Sequence, residues 1–187
     1  MEWEMKQMGI GWEKCIGRWR ENIWKYHLVC LLGCCILVYI TLHFDIVSLK
    51  KLGKSFGTPA AFAGGLSFAY YFVREVYGKG KKNSWAVVAK GDVIWKRSIK
   101  SLRLLHPLVG ILAFYLVFLH GIFLLMVLPD LRSSRVISGL VEGATAVFLL
   151  LSGSLLARKK VLRSYHRWMA CFAVVLFLVH VYLKIKF

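Results

Sequence analysis

The sequence predicts an all-α membrane protein: a bundle of five transmembrane helices preceded by an amphipathic helix at the membrane surface. Three observations predict it. Hydrophobic residues make up 58% of the 187 residues, above the roughly half that is usual in soluble domains. They gather into five runs, each near the ~20 residues needed to cross a hydrocarbon core. Most of the charged residues, with a net charge of +17, lie between those runs. Only helices or closed barrels span lipid, and the runs lack the alternation of barrel strands.

Residues 1–25 form a first region of their own. Trp12, Ile16, Trp19 and Ile23 follow one another at steps of 4, 3 and 4, with Glu and Lys between them. That makes one apolar stripe on a charged helix, and Trp favours the interface. The region reads as an anchor on the inner leaflet, with a docking surface for a partner as the alternative. It lacks the apolar core of a cleavable signal peptide. Residues 26–187 form the transmembrane domain, with helices at about 26–47, 58–77, 104–128, 136–157 and 165–183. Thr58 and Pro59 suit the start of the second helix, as N-cap and first helical residue. The stretch 78–100 is basic and mixed, with Trp85, Val88 and Trp95 expected at the surface. Five cysteines occur, at 15, 30, 34, 35 and 171. Cys30 and Cys34 share a helix face, but without CxxC spacing they read as small apolar residues and not as a metal site. No phosphate-binding glycine loop occurs, and no connection is long enough for a soluble nucleotide-binding domain.

A charge of +17 on a soluble protein would suggest nucleic acid. Its placement argues otherwise. Residues 1–25, 74–103 and 158–167 carry 5, 9 and 5 basic residues, against 3, 2 and 2 in 46–54, 130–135 and the tail. Nineteen against seven puts the N-terminus in the cytoplasm and the C-terminus outside, in a multi-pass protein of the cytoplasmic membrane. Anionic membrane lipids are the partner this charge implies.

Six histidines are present, and four form two equal pairs. His106 and His120 lie 14 residues apart in the third helix, as do His166 and His180 in the fifth. Fourteen residues rise about 21 Å and fall only ~40° short of four full turns. Each helix thus presents two imidazoles on nearly one face, one near each leaflet. Both helices run from inside to outside, so His106 meets His166 near the cytoplasm and His120 meets His180 near the outer surface. Opposed imidazoles inside a bundle are what a bis-histidine haem iron requires. Isolated core histidines are the bland alternative, but four costly imidazoles at matched depths favour ligation. Two non-covalent haem b groups follow, since no CxxCH motif attaches them. His27 and His43 lack such spacing and read as interfacial residues. Gly110, Gly121, Gly139 and Gly143 offer close approach to a helix or a macrocycle. Lys100, Arg103, Arg163 and Arg167 flank the inner histidines, and Arg103 and Arg163 are the candidates to pair with haem propionates.

Those residues also carry a resemblance. Leu102-Arg103-Leu104-Leu105-His106, Gly110, Leu119-His120, Ser152-Gly153-Ser154, Arg163-Ser164-Tyr165-His166-Arg167-Trp168 and Val179-His180 resemble the ferric reductase-like transmembrane domain. That family includes ferric reductases, the membrane domain of NADPH oxidases and the haem subunit of the bacterial methionine sulfoxide reductase system. The resemblance covers about residues 102–184. It implies two b haems stacked between the third and fifth helices, with His106, His120, His166 and His180 as iron ligands. A sixth helix and the fused flavin and nicotinamide domain of many members have no counterpart among the five runs. Pro107, directly after His106, is a second departure from the family's pattern, tolerable if a helix begins there, since proline suits a first turn.

The expected function is transmembrane electron transfer, from a cytoplasmic or quinol donor to an acceptor outside. In this reading the chain is a subunit of a larger oxidoreductase, partnered by a flavoprotein, a multihaem cytochrome or another redox subunit, with quinone as a further candidate. A stand-alone reductase of ferric iron or another external acceptor is the first rival. A haem-free transporter or scaffold with proton-relay histidines is the second.

Overall fold

A computed structural model describes residues 2–127, 132–155 and 160–186, with side chains from 22 onward except those of 154 and 160–162. Six helices account for nearly all of it, and no strand occurs among the described residues: α1 (Glu2–Thr41), α2 (Ile46–Lys82), α3 (Ala86–Lys90), α4 (Asp92–Val127), α5 (Ser134–Leu155) and α6 (Lys160–Lys186). The chain divides into two compact units, residues 1–42 and 43–187.

The first unit is α1 alone, helical without a break through residue 25. Its stretch Asn22–Thr41 is long and apolar enough to cross a membrane. The side chains of Trp12, Ile16 and Trp19, on which the amphipathic stripe depends, lie outside the described residues. Thr41 ends the helix with its hydroxyl donating to the carbonyls of Leu37 and Val38, both at 2.9 Å. The thiols of Cys30, Cys34, Cys35 and Cys171 are unbridged.

The second unit is built from two long antiparallel pairs, α2 with α4 and α5 with α6, joined where α4 meets α5. Asp45 caps α2, its carboxylate accepting from Ser48 N at 3.1 Å. This corrects the expected start at Thr58. Pro59 lies inside α2, as Pro107 lies inside α4, so neither proline opens a helix. Each removes one backbone hydrogen bond, a loss that apolar membrane helices accommodate. The stretch 78–100 is also helical for most of its length, through the end of α2, the short α3 and the start of α4. Val88 is not at the surface: it is buried against Gly80, where a Cβ would collide with it. Trp85 is exposed as expected, and Trp95 is half-buried over Gly91. The expected ends of the third and fourth helices, at 128 and 157, fall outside the described residues.

The α2–α4 interface shows why these helices pair. Gly53, Gly57, Ala60, Ala63 and Ser67 recur every three or four positions along α2, so its backbone approaches α4 closely. A Cβ on Gly53 would stand 3.1 Å from Leu124 and 3.2 Å from Phe123. α4 answers with Ile111, Tyr115, Leu119 and Phe123, all buried and each four residues from the next. Phe56 stacks on Phe123 with ring centroids 5.8 Å apart. At the far end, Tyr77 donates to Asp92 at 2.7 Å, tying the end of α2 to the start of α4.

Four helices are long and apolar enough to span a bilayer: α1, α4, α5 and α6. Their apolar side chains face outward in large number. Phe62, Trp168 and Ile185 keep about three quarters of their surface open. A protein in water does not expose apolar surface on this scale, whereas one whose solvent is lipid must.

Candidate haem-binding site

The paired helices set each histidine against a support on the neighbouring helix. His106 Nδ1 lies 2.9 Å from the carbonyl oxygen of Ser67 and 3.2 Å from its hydroxyl. His120 Nδ1 lies 2.7 Å from the carbonyl oxygen of Gly53. In the other hairpin, His166 Nδ1 is 2.9 Å from the Ser152 hydroxyl and His180 Nδ1 is 3.0 Å from that of Ser138. Every one of the four rings is therefore tied down through the same nitrogen. Nε2, on the opposite side of the ring, is the nitrogen these bonds leave for a metal.

The rings of one expected pair meet. The centroids of His106 and His166 are 6.2 Å apart, with the rings perpendicular at 88°. Two metal–nitrogen bonds of ~2 Å plus the half-rings on either side span roughly the same distance. His120 and His180 lie near enough to act on each other electrostatically. Among the described residues, α4 and α6 are not a closely packed pair. Their imidazoles reach into the space between two helices that each pack on another partner.

Small residues let three of the rings lie close against their supporting helices. A Cβ on Gly57 would stand 2.9 Å from His120 Cε1, and one on Gly139 or Gly153 would stand 3.3 Å from His180 or His166. Gly139 was legible in the sequence as part of a small face, but Gly57 and Gly153 were not tied to a histidine until α2 and α5 were in place. Gly110 faces Ser67, while Gly121 and Gly143 face open space. Tyr70 packs on His106, with centroids 5.4 Å apart. The facing rings of His106 and His166 and the engaged Nδ1 atoms of all four histidines fit a bis-imidazole macrocycle.

The charged candidates are less closely placed. Arg103 and Arg163 are exposed, three residues before His106 and His166, and the Arg163 carbonyl accepts a bond from Arg167 Nε at 3.4 Å. A shallow cleft beside His166 is lined by Tyr71, Ser164, Arg167, Trp168 and Cys171. Lys184, unremarked in the sequence, is the cation whose charge reaches both His120 and His180. Its signal was available: it lies one turn past His180 on the same helix face. Glu142 stands half-buried inside the apolar stretch of α5, where an acidic side chain is unusual. His27 packs against Trp24 at 6.0 Å, and His43 is exposed. Among the described residues no group of three or more His, Cys, Asp or Glu side chains is arranged to hold a metal ion. A haem iron needs only two from the protein.

Comparison with protein-family models, curated proteins and solved structures found no match.

Proposed function

We propose that the chain is a di-haem cytochrome b of the ferric reductase-like type, which carries electrons across the cytoplasmic membrane as a subunit of a larger redox complex. The observation that carries this reading is the pairing of four imidazoles, each held by Nδ1, in two couples 14 residues apart. In this reading α2 is the fifth span. Its residues 55–73 carry no charge, and 19 residues rise roughly 28 Å, close to the hydrocarbon thickness. Gly, Ala, Thr, Tyr and Pro dilute its hydropathy because its small face belongs to α4.

Bound at the two levels, the haems would supply one-electron iron chemistry at two depths of the bilayer. The protein's part is structural and electrostatic. His106 and His166 would hold the inner group, and His120 and His180 the outer one. With two protein imidazoles on each group, neither iron would be left open to oxygen or substrate, and the chemistry supplied would be electron transfer alone. Arg103 and Arg163 on the inner side, and Lys184 on the outer, are placed to pair with propionates. The donor is cytoplasmic or a quinol, the acceptor external, and the complex is completed by another redox subunit.

Pyridine haemochrome quantitation of protein purified with ample haem tests the reading. Two non-covalent haems per chain are expected. A value near zero overturns it and favours a haem-free transporter or scaffold.

A further inference from the structure

The supports of the four imidazoles repeat a spacing that the histidines alone do not reveal. On α2 the two acceptors are Gly53 and Ser67, and on α5 they are Ser138 and Ser152; both pairs are 14 residues apart. In each hairpin the order is reversed, the first histidine meeting the later support, as antiparallel helices require. The α2–α4 and α5–α6 hairpins therefore carry the same device, a histidine pair on one helix and an acceptor pair at matching levels on the other.

The chemistry of the acceptors decides the state of each ring. A backbone carbonyl accepts and never donates. The carbonyls of Ser67 and Gly53 thus require that Nδ1 of His106 and His120 carry the hydrogen. A serine hydroxyl can act either way, but it has one proton. Ser138 Oγ donates that proton to the Arg135 carbonyl at 2.9 Å, and Ser152 Oγ donates to the Leu149 carbonyl at 3.2 Å. With the proton committed along its own helix, each hydroxyl oxygen can only accept from the histidine. All four imidazoles are then Nδ1–H, with the lone pair on Nε2.

We infer that Ser138 and Ser152 are positioning residues that hold His180 and His166 as the Nδ1–H tautomer with Nε2 ready to bind iron, the part played on α2 by the Gly53 and Ser67 carbonyls. The inference about iron rests on the di-haem reading, while the tautomer belongs to the chain itself. A hydrogen bond of this kind fixes ring orientation and raises the basicity of the ligating nitrogen, and losing one costs 10–100-fold in metal affinity. The Leu149 and Arg135 carbonyls also act on the α6 rings as acceptors. Removing a serine therefore leaves part of the support, and the loss falls near the tenfold end.

The α6 side is the testable one, because its supports are side chains that substitution can remove. Nitrogen NMR of the full chain, labelled at histidine and produced without haem, should show His166 and His180 as Nδ1–H. Finding either as Nε2–H overturns the inference. In the haem-loaded chain, Ser138→Ala should weaken the His120–His180 haem about tenfold and shift its spectrum and midpoint potential, sparing the other haem. Ser152→Ala should do the same to the His106–His166 haem. Ser138→Thr and Ser152→Thr keep the hydroxyl and should restore each site, which a purely space-filling role would not produce. Alanine variants with unchanged affinity and spectra for both haems overturn the inference even though the di-haem reading stands. A wild-type chain that binds no haem overturns that reading instead, and the tautomers measured in the same chain still decide the serines' role.

Discussion

At the residue scale, the equal depth of each histidine pair makes a prediction about spectra. His106 shares a level with His166, their rings 6.2 Å apart, and the two levels lie about 21 Å apart along the helices. His120→Ala and His180→Ala should give matching spectra that keep the inner haem. His106→Ala and His166→Ala should match each other and differ from the first two. If the chain is the proposed di-haem cytochrome, all four should stop transmembrane electron flow, each haem then being an obligatory step. A His120→Ala spectrum that resembles that of His166→Ala would contradict the pairing. Gly57 offers a second test, because its added Cβ would stand 2.9 Å from His120 Cε1 and 3.1 Å from Nδ1. Gly57→Ala pushes the ring off its bond to Gly53, and its expected effect is selective loss of the outer haem's absorbance in titrations with added haem. Gly64→Ala, facing open space on the same helix, is the matched control and should retain both haems.

At the scale of the element, α2 begins because Asp45 satisfies a backbone donor that the first turn leaves unpaired. Its hydrogen bonds with Ser48 hold the Asp45 carboxyl below the usual carboxylate range. A depressed pKa means that the folded chain favours the ionised cap. Its stabilising contribution is therefore present above the unfolded pKa and is lost as pH falls through the lower folded value. Amide exchange at residues 46–49 should quicken as pH falls through that window, after correction for the intrinsic exchange rate. Asp45→Ala should exchange quickly throughout, whereas Asp45→Asn, which keeps the acceptor without the charge, should lose the pH dependence and retain protection. Unchanged exchange in the alanine variant would mean that the cap does not hold the first turn. Prolines mislead at this scale. Thr58-Pro59 has the composition of a helix start, yet the helix already has a start thirteen residues earlier, at Asp45. Packing on α4 stabilises the turns around Pro59 at the cost of one hydrogen bond.

At the scale of the whole molecule, the proposed orientation rests on the 19 basic residues in three segments against 7 in the other three. With the native cysteines replaced, Lys90→Cys should be labelled by a membrane-impermeant thiol reagent only after intact cells are opened. Lys54→Cys should be labelled from outside. The opposite pattern would invert the inner and outer haems while leaving their pairing intact. Four helices are long and apolar enough to span a bilayer, and α2 is a fifth only in the proposed reading. Its small residues are the price of close approach to α4, and they make the helix look less like a span than its length allows.

What the sequence determined by itself was whatever depends on local spacing: the helical class, the apolar stretches, the asymmetry of charge and the 14-residue intervals that set two imidazoles on one helix face. Those follow from the rise and turn of a single helix and need no partner. The supports of the imidazoles were decided only by tertiary structure. Gly53 and Ser67 are separated from their histidines by 67 and 39 residues. Their role depends on the register of α2 against α4, which interlocking small and large side chains establish. Nothing within α2 states that register. The same holds for Ser138 and for Gly57: a serine or a glycine in an apolar helix has many uses, and only the neighbouring helix selects one.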